Sequence, residues 1–314
     1  MSCCGTGLDH DEKTAGAALV APAEIGRIAN DTPPARAAFA GGRSHVGTDK
    51  PEILPDGEGP KRPVTLAPFA VEATLVTNAR FAAFVLDTGY RTVAEQFGWA
   101  PVFRPFLDDP NSLPPGNMQT PWWGKGDGAA WFAPEGPGSH VLERADHPVV
   151  HIAWDDARAF AAWAGGRLGT EAEWEHAARG GLADPRFPWG DEEPDDDTFQ
   201  PCNIWQGRFP TLNTKADGWA GTAPVASFAA NGAGLYDMAG NVWEWTADTF
   251  RVRSLSRAAK MRNEQSRLQN VKVAKGGSFL CHKSYCYRYR IAARSGVAAD
   301  SGTSNTGMRI FFDG

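Results

Sequence analysis

The sequence predicts an α+β fold: a single loop-rich domain with few helices and short strands. Three observations carry this. The 314 residues include 35 glycines and 12 tryptophans, so much irregular backbone is expected, pinned by large rings. Only three stretches before residue 182 repeat apolar residues at helical spacing and then meet glycine. The strand-like pieces are short and interrupted by proline.

In chain order, residues 1–40 are rich in Ala, Pro, Asp and Glu, and Pro33-Pro34 breaks any helix. A mobile arm is expected there, with a domain over 41–314. Cys3 and Cys4 are read as incidental. Residues 60–71 form a broken strand bounded by prolines. A helix follows, with Thr77 as its N-cap, Phe81, Phe84 and Val85 on one face and Gly89 as its stop. Residues 98–140 fit no period. Their Pro, Gly and Trp predict a long ordered loop of the kind that lines sites. Residues 147–152 read as a short strand. Asp155 is expected to cap a second helix, and Thr170 with Glu173 forms a capping box that opens a third. After residue 182 no helix signal appears. The basic segment 251–275 reads as a solvated amphipathic turn or helix. Strand-like pieces close the chain at 271–273, 281–290 and 308–312.

Composition excludes several functions. Hydrophobic content is 42% and charged content 22%, ordinary for a soluble globular protein. A net charge of −6 argues against nonspecific nucleic-acid binding. No run of 18 apolar residues predicts a membrane span. The first seven residues lack a basic start and an apolar run, so no secretory signal is expected. Five cysteines in so long a chain do not make a disulfide scaffold. A reducing cytoplasm is therefore expected, and a monomer is the default.

The chemistry centres on Gly276-Gly277-Ser278-Phe279-Leu280-Cys281-His282-Lys283-Ser284-Tyr285-Cys286-Tyr287-Arg288-Tyr289-Arg290. Two of the five cysteines lie here, with four residues between them. Such a thiol pair can hold a soft metal ion, form a disulfide or do redox chemistry. Zinc needs three or four protein ligands. Only Cys202 or a histidine could add to the pair, and no spacing suggests it. His147 and His151, at strand ends, are read as making structural hydrogen bonds.

Several stretches together resemble the formylglycine-generating enzymes, or sulfatase-modifying factors. They are Val76-Thr77-Asn78-Ala79-Arg80-Phe81, His147-Pro148-Val149-Val150, Thr170-Glu171-Ala172-Glu173-Trp174-Glu175, Asn203-Ile204-Trp205-Gln206-Gly207, Gly240-Asn241-Val242-Trp243-Glu244-Trp245 and the Cys281/Cys286 stretch. The resemblance runs from about residue 41 to the C-terminus. The runs at 170–175 and 240–245 mark a wider superfamily, which includes sulfoxide synthases and C-type-lectin-like binders. The cysteine pair in its Gly-Gly-Ser setting marks the formylglycine-generating branch.

The resemblance implies a copper-dependent oxidase with a formylglycine-generating-enzyme/C-type-lectin-like fold. It would convert the cysteine of a Cys-x-Pro-x-Arg motif, in an unfolded or nascent sulfatase, to Cα-formylglycine with O2. Cys281 and Cys286 would hold Cu(I), and the substrate thiolate would complete the site. Ser278, Tyr285 and Trp243 match family active-site positions; Ser278 is otherwise a turn residue, and the two rings are otherwise core. Arg288, Arg290, Arg294 and Asn305 also match, but are read as bracing loops. Two structural calcium sites are implied, one at Asn203, Ile204, Asp217 and Trp219, the other at Asp237, Gly240, Val242 and Glu244. The chain departs from the family's usual pattern at Gly169, Asp237 and Met308, and at residues 43–47. Ile291 and Ile310 stand where secretory members carry cysteines. The competing functions are a non-enzymatic ligand-binding module of the same fold and a nonhaem-iron sulfoxide synthase. The latter's His-x3-His-x-Glu set is not found in this sequence.

Overall fold

The computed structural model describes Leu19 and residues 21–314 except residue 117. Helix α1 (Asn78–Thr88) starts where the Thr77 side chain accepts from Arg80 N–H and ends at left-handed Gly89. Its Phe81 packs against Phe160 at 5.8 Å and against Trp131 at 5.1 Å. Burying each such ring contributes about 2 kcal/mol. A short helix α2 (Val93–Phe97), held by a Thr92/Glu95 capping box, was not expected from the sequence.

Helix α3 (Trp154–Trp163) starts two residues earlier than expected, with Ala153 at its N-cap. Asp156, not Asp155, caps it by accepting from Ala153 N–H at 2.9 Å. Asp155 faces solvent beside Arg158. Helix α4 (Glu171–Ala178) begins at the Thr170/Glu173 box as expected. The basic segment contains a helix, α5 (Arg257–Leu268). It buries only Ala259 and Ser266, too narrow a stripe to give an apolar period.

Strand β1 (Arg36–Phe39) is the first correction to the expected arm. It pairs with β4 (Phe69–Glu72), which also pairs with β13 (Phe311–Asp313), so residues from before the expected domain start share a sheet with its last strand. Ile25 is buried in the main core too. The arm expected over 1–40 is therefore built into the domain from about residue 22; Cys3 and Cys4 lie outside the described residues. Strands β2 (Gly42–Val46) and β3 (Arg62–Leu66) form a separate antiparallel pair.

The stretch at 98–140 is not one loop. Strand β5 (Trp99–Phe103) pairs with β6 (Trp123–Asp127). Pro101 in one and two glycines in the other hid the pairing. Residues 147–152 make only an isolated bridge, Pro148 to Thr77, instead of a strand. A small hairpin joins β7 (Gly207–Arg208) to β8 (Leu212–Asn213). The last sheet runs β11 (Ser295–Ala298), β10 (Val271–Lys275), β9 (Trp243–Thr249), β12 (Thr306–Gly307), with β12 parallel to β9. Residues 281–290 lie in turns, and of residues 308–312 only the end is strand.

The arginines of residues 288–294 brace this arrangement through buried ion pairs. Arg288 meets Asp56, Arg290 meets Glu58 at 2.6 Å, and Arg294 meets Glu171. Burial alone would raise the Glu58 carboxyl. Arg290 and the N–H groups of Ile53 and Glu52 outweigh it and hold Glu58 below the ordinary glutamate range. A depressed folded-state value means stability that is present above the unfolded pKa and lost as pH falls through the folded one. Glu58→Gln leaves Arg290 buried without its counter-ion, and should cost about 3–5 kcal/mol at pH 7. Urea unfolding measures this, and the gap from wild type should narrow below roughly pH 4. A pH-independent gap would show that the charge is not responsible.

Candidate metal and thiol site

Two consecutive turns fold the cysteine segment. Cys281 N–H donates to Ser278 O, and Cys286 N–H donates to His282 O. Gly277, at φ +73°, starts this path; a Cβ there would lie 3.1 Å from the Tyr289 backbone. The turns bring Cys281 Sγ and Cys286 Sγ to 2.6 Å. Both side chains are 1% exposed and neither forms a disulfide. Arg288 places a guanidinium nitrogen 4.0 Å from Cys286 Sγ, a positive charge that favours the thiolate form of that sulfur.

Above the sulfurs lies a pocket of about 10 Å³, lined by Trp243, Ser278, Tyr285 and Asn305 among others. That is room for one water-sized species. All five residues expected at the catalytic centre therefore meet here. Ser278 Oγ accepts from Asn305 Nδ2 at 2.8 Å and from Leu280 N–H at 3.3 Å. Both acceptor positions of the hydroxyl are used, so its proton is left to donate. The Trp243 indole N–H is buried with no acceptor. Tyr285 stacks on Phe209 at 4.2 Å and meets Trp122 edge-on at 4.8 Å. Asn305 belongs to the site, although the sequence reading set it aside as a brace.

A larger groove of about 910 Å³ has Phe279 and Ser304, the chain neighbours of Ser278 and Asn305, in its lining. Asp108, Asp109 and Asp127 give it exposed negative charge. Much of its wall comes from residues 106–139, the stretch expected to line a site.

His147 and His151 do not join the thiols. His151 Nε2 faces Pro134 O, and burial pushes its pKa down to about 4. His147 meets Thr222. Burial pushes the Cys202 thiol up. Among the described residues, no three His, Cys, Asp or Glu side chains converge as a metal-binding group.

Two oxygens of the first set converge. Ile204 O and Asp217 Oδ2 both face the Gln206 amide nitrogen, the latter at 3.0 Å. Trp219 N–H donates to Asp217 Oδ1. Asn203 Oδ1 is buried without a partner. These features fit a hard cation. In the second set the carboxylates already have protein donors. Both Glu244 oxygens accept from Arg309, and Trp174 Nε1 adds a third donor. Asp237 accepts from Ala226 N–H.

The loop carrying the first set touches the thiol segment. Trp205 N–H donates to Cys281 O, Asn241 N–H to Asn203 O and Phe279 N–H to Asn241 O.

Fold and site together define a loop-rich α+β domain of the sulfatase-modifying class, with a buried thiol pair under a narrow pocket. The chain matches the Sulfatase-modifying factor enzyme 1-like domain over residues 22–313, and it belongs to that family. It is 49% identical to the formylglycine-generating enzyme of Thermomonospora curvata, across 88% of this chain and 92% of that one. It is 42% identical to the inactive C-alpha-formylglycine-generating enzyme 2 of Bos taurus, across 86% and 85%. The structure of PvdO from Pseudomonas aeruginosa shares the fold, with a TM-score of 0.57 at 22% identity, across 88% of this chain and 94% of that one.

Proposed function

We propose that this protein converts the cysteine of a Cys-x-Pro-x-Arg motif in an unfolded or nascent sulfatase to Cα-formylglycine. Dioxygen is the acceptor, and Cys281 and Cys286 hold a cuprous ion. The observation that carries this reading is the pair of buried sulfurs in contact beneath a one-molecule pocket. Two soft donors suit Cu(I), and the named relatives supply the reaction class. Bound copper would supply the oxygen activation that side chains lack.

The chain's own residues then have assignable tasks. Ser278 and Trp243 offer N–H or O–H donors to whatever small species enters the pocket. Asn305 fixes the Ser278 hydroxyl by donating to its oxygen. Tyr285, packed between Phe209 and Trp122, walls the site against water. The adjoining groove receives the client peptide, with Asp108, Asp109 and Asp127 favouring a peptide that carries arginine. We read the first oxygen set as a structural calcium site whose loop steadies Cys281. We read the protein as a monomer working in a reducing cytoplasm.

The direct test incubates copper-loaded protein with a Cys-Thr-Pro-Ser-Arg peptide and oxygen, with aldehyde detected by mass and by hydrazine capture. Turnover is expected. If no aldehyde forms, the binding-module reading takes over, and the protein joins its relatives described as inactive.

A further inference from the structure

Gln206 is 1% exposed, and its Oε1 is buried without a partner. Its Nε2 lies against two oxygens, Ile204 O and Asp217 Oδ2. A second buried amide oxygen, Asn203 Oδ1, is unpartnered three residues earlier. Buried acceptors are almost always satisfied, so the Asn203 orphan calls for a missing partner. A cation in place of the Gln206 nitrogen would serve both Ile204 O and Asp217 Oδ2. A carboxamide has nearly the same shape when turned about its last bond. Turning it places the Gln206 oxygen where its nitrogen now stands, between Ile204 O and Asp217 Oδ2.

We propose that Gln206 is itself a ligand of the ion at this site, with Oε1 joining Asn203 Oδ1, Ile204 O and Asp217 Oδ2. The proposal rests on the calcium reading given above and extends it. Without the ion, the amide turns over and its nitrogen satisfies the same two oxygens. Gln206 is thus a two-state residue, a ligand in the loaded protein and a stand-in donor in the stripped one. Calcium's tolerance of six to eight oxygens in flexible geometry suits such a shell.

The test uses the full chain stripped with chelator, titrated with calcium chloride by calorimetry, and melted with and without calcium. Gln206→Leu removes the oxygen at similar size and should bind calcium at least fivefold more weakly, with a smaller calcium-dependent rise in Tm. A smaller loss of affinity overturns the role of Gln206 while leaving the calcium site standing. Gln206→Glu keeps an oxygen, adds charge and should bind at least as tightly as wild type; weaker binding overturns the proposal, and this variant decides if the leucine variant does not fold. Wild type that binds no calcium sinks the calcium site and this proposal together. The thiol-pair reading is unaffected, because aldehyde formation reports on it separately.

Discussion

Cys281→Ser and Cys286→Ser should each lower kcat/KM for aldehyde formation on the order of a thousandfold, about 4 kcal/mol of transition-state stabilisation. Serine is close to cysteine in size, so the fold should survive with a stability change within about 1–2 kcal/mol. The hydroxyl is a hard, protonated donor and a poor ligand for Cu(I). Both sulfurs line the same pocket, so each is expected to ligate the same ion. Cu(I) affinity, measured by competition with a chromogenic chelator, should fall in step with activity. Full turnover in either variant would remove that cysteine from the ligand set. Lost activity with copper affinity unchanged would instead make the pair a redox dithiol.

Much of this site was legible because its parts are adjacent in sequence. The cysteines, Ser278 and Tyr285 occupy one short segment, and α1 and α4 announce themselves by cap and period. What was misread had physical causes. Tyr285, Tyr287 and Tyr289 alternate as in a strand with one wet face. In the fold Arg288 and Arg290 are buried as well, paired with Asp56 and Glu58 from more than two hundred residues away. Charge balance across that distance leaves no periodic trace. Asn305 was visible as a motif residue but not as a pocket residue. Its contact with Ser278 depends on β12 lying beside β9, a pairing between remote segments. Gln206 was visible inside the 203–207 motif stretch, but an amide next to tryptophan in a turn-rich stretch has nothing to mark it as a ligand.

Gly240→Ala should be among the most damaging single substitutions in the protein, although the residue touches neither sulfur. Gly240 sits at φ +76°, and a Cβ there would lie 2.2 Å from Asn203 O. Two costs add. An L-residue held in left-handed backbone costs roughly 1–2 kcal/mol. The clash is with a backbone carbonyl that cannot swing aside like a side chain, because it already accepts from Asn241 N–H. A total above about 3 kcal/mol is expected, the range reached when a special backbone site is strained. In a domain of this size that lowers Tm by roughly 6 °C or more. Gly89→Ala is the control, because Gly89 also has positive φ but no atom within 4 Å of an added Cβ. It should show the backbone cost alone, so the difference between the two variants isolates the clash. The displaced loop is the one whose Trp205 N–H holds Cys281 O. Gly240→Ala should therefore lose peptide turnover even at temperatures where it remains folded, whereas Gly89→Ala should not. Equal activity in the two variants would show that the 203–206 loop does not position the thiol.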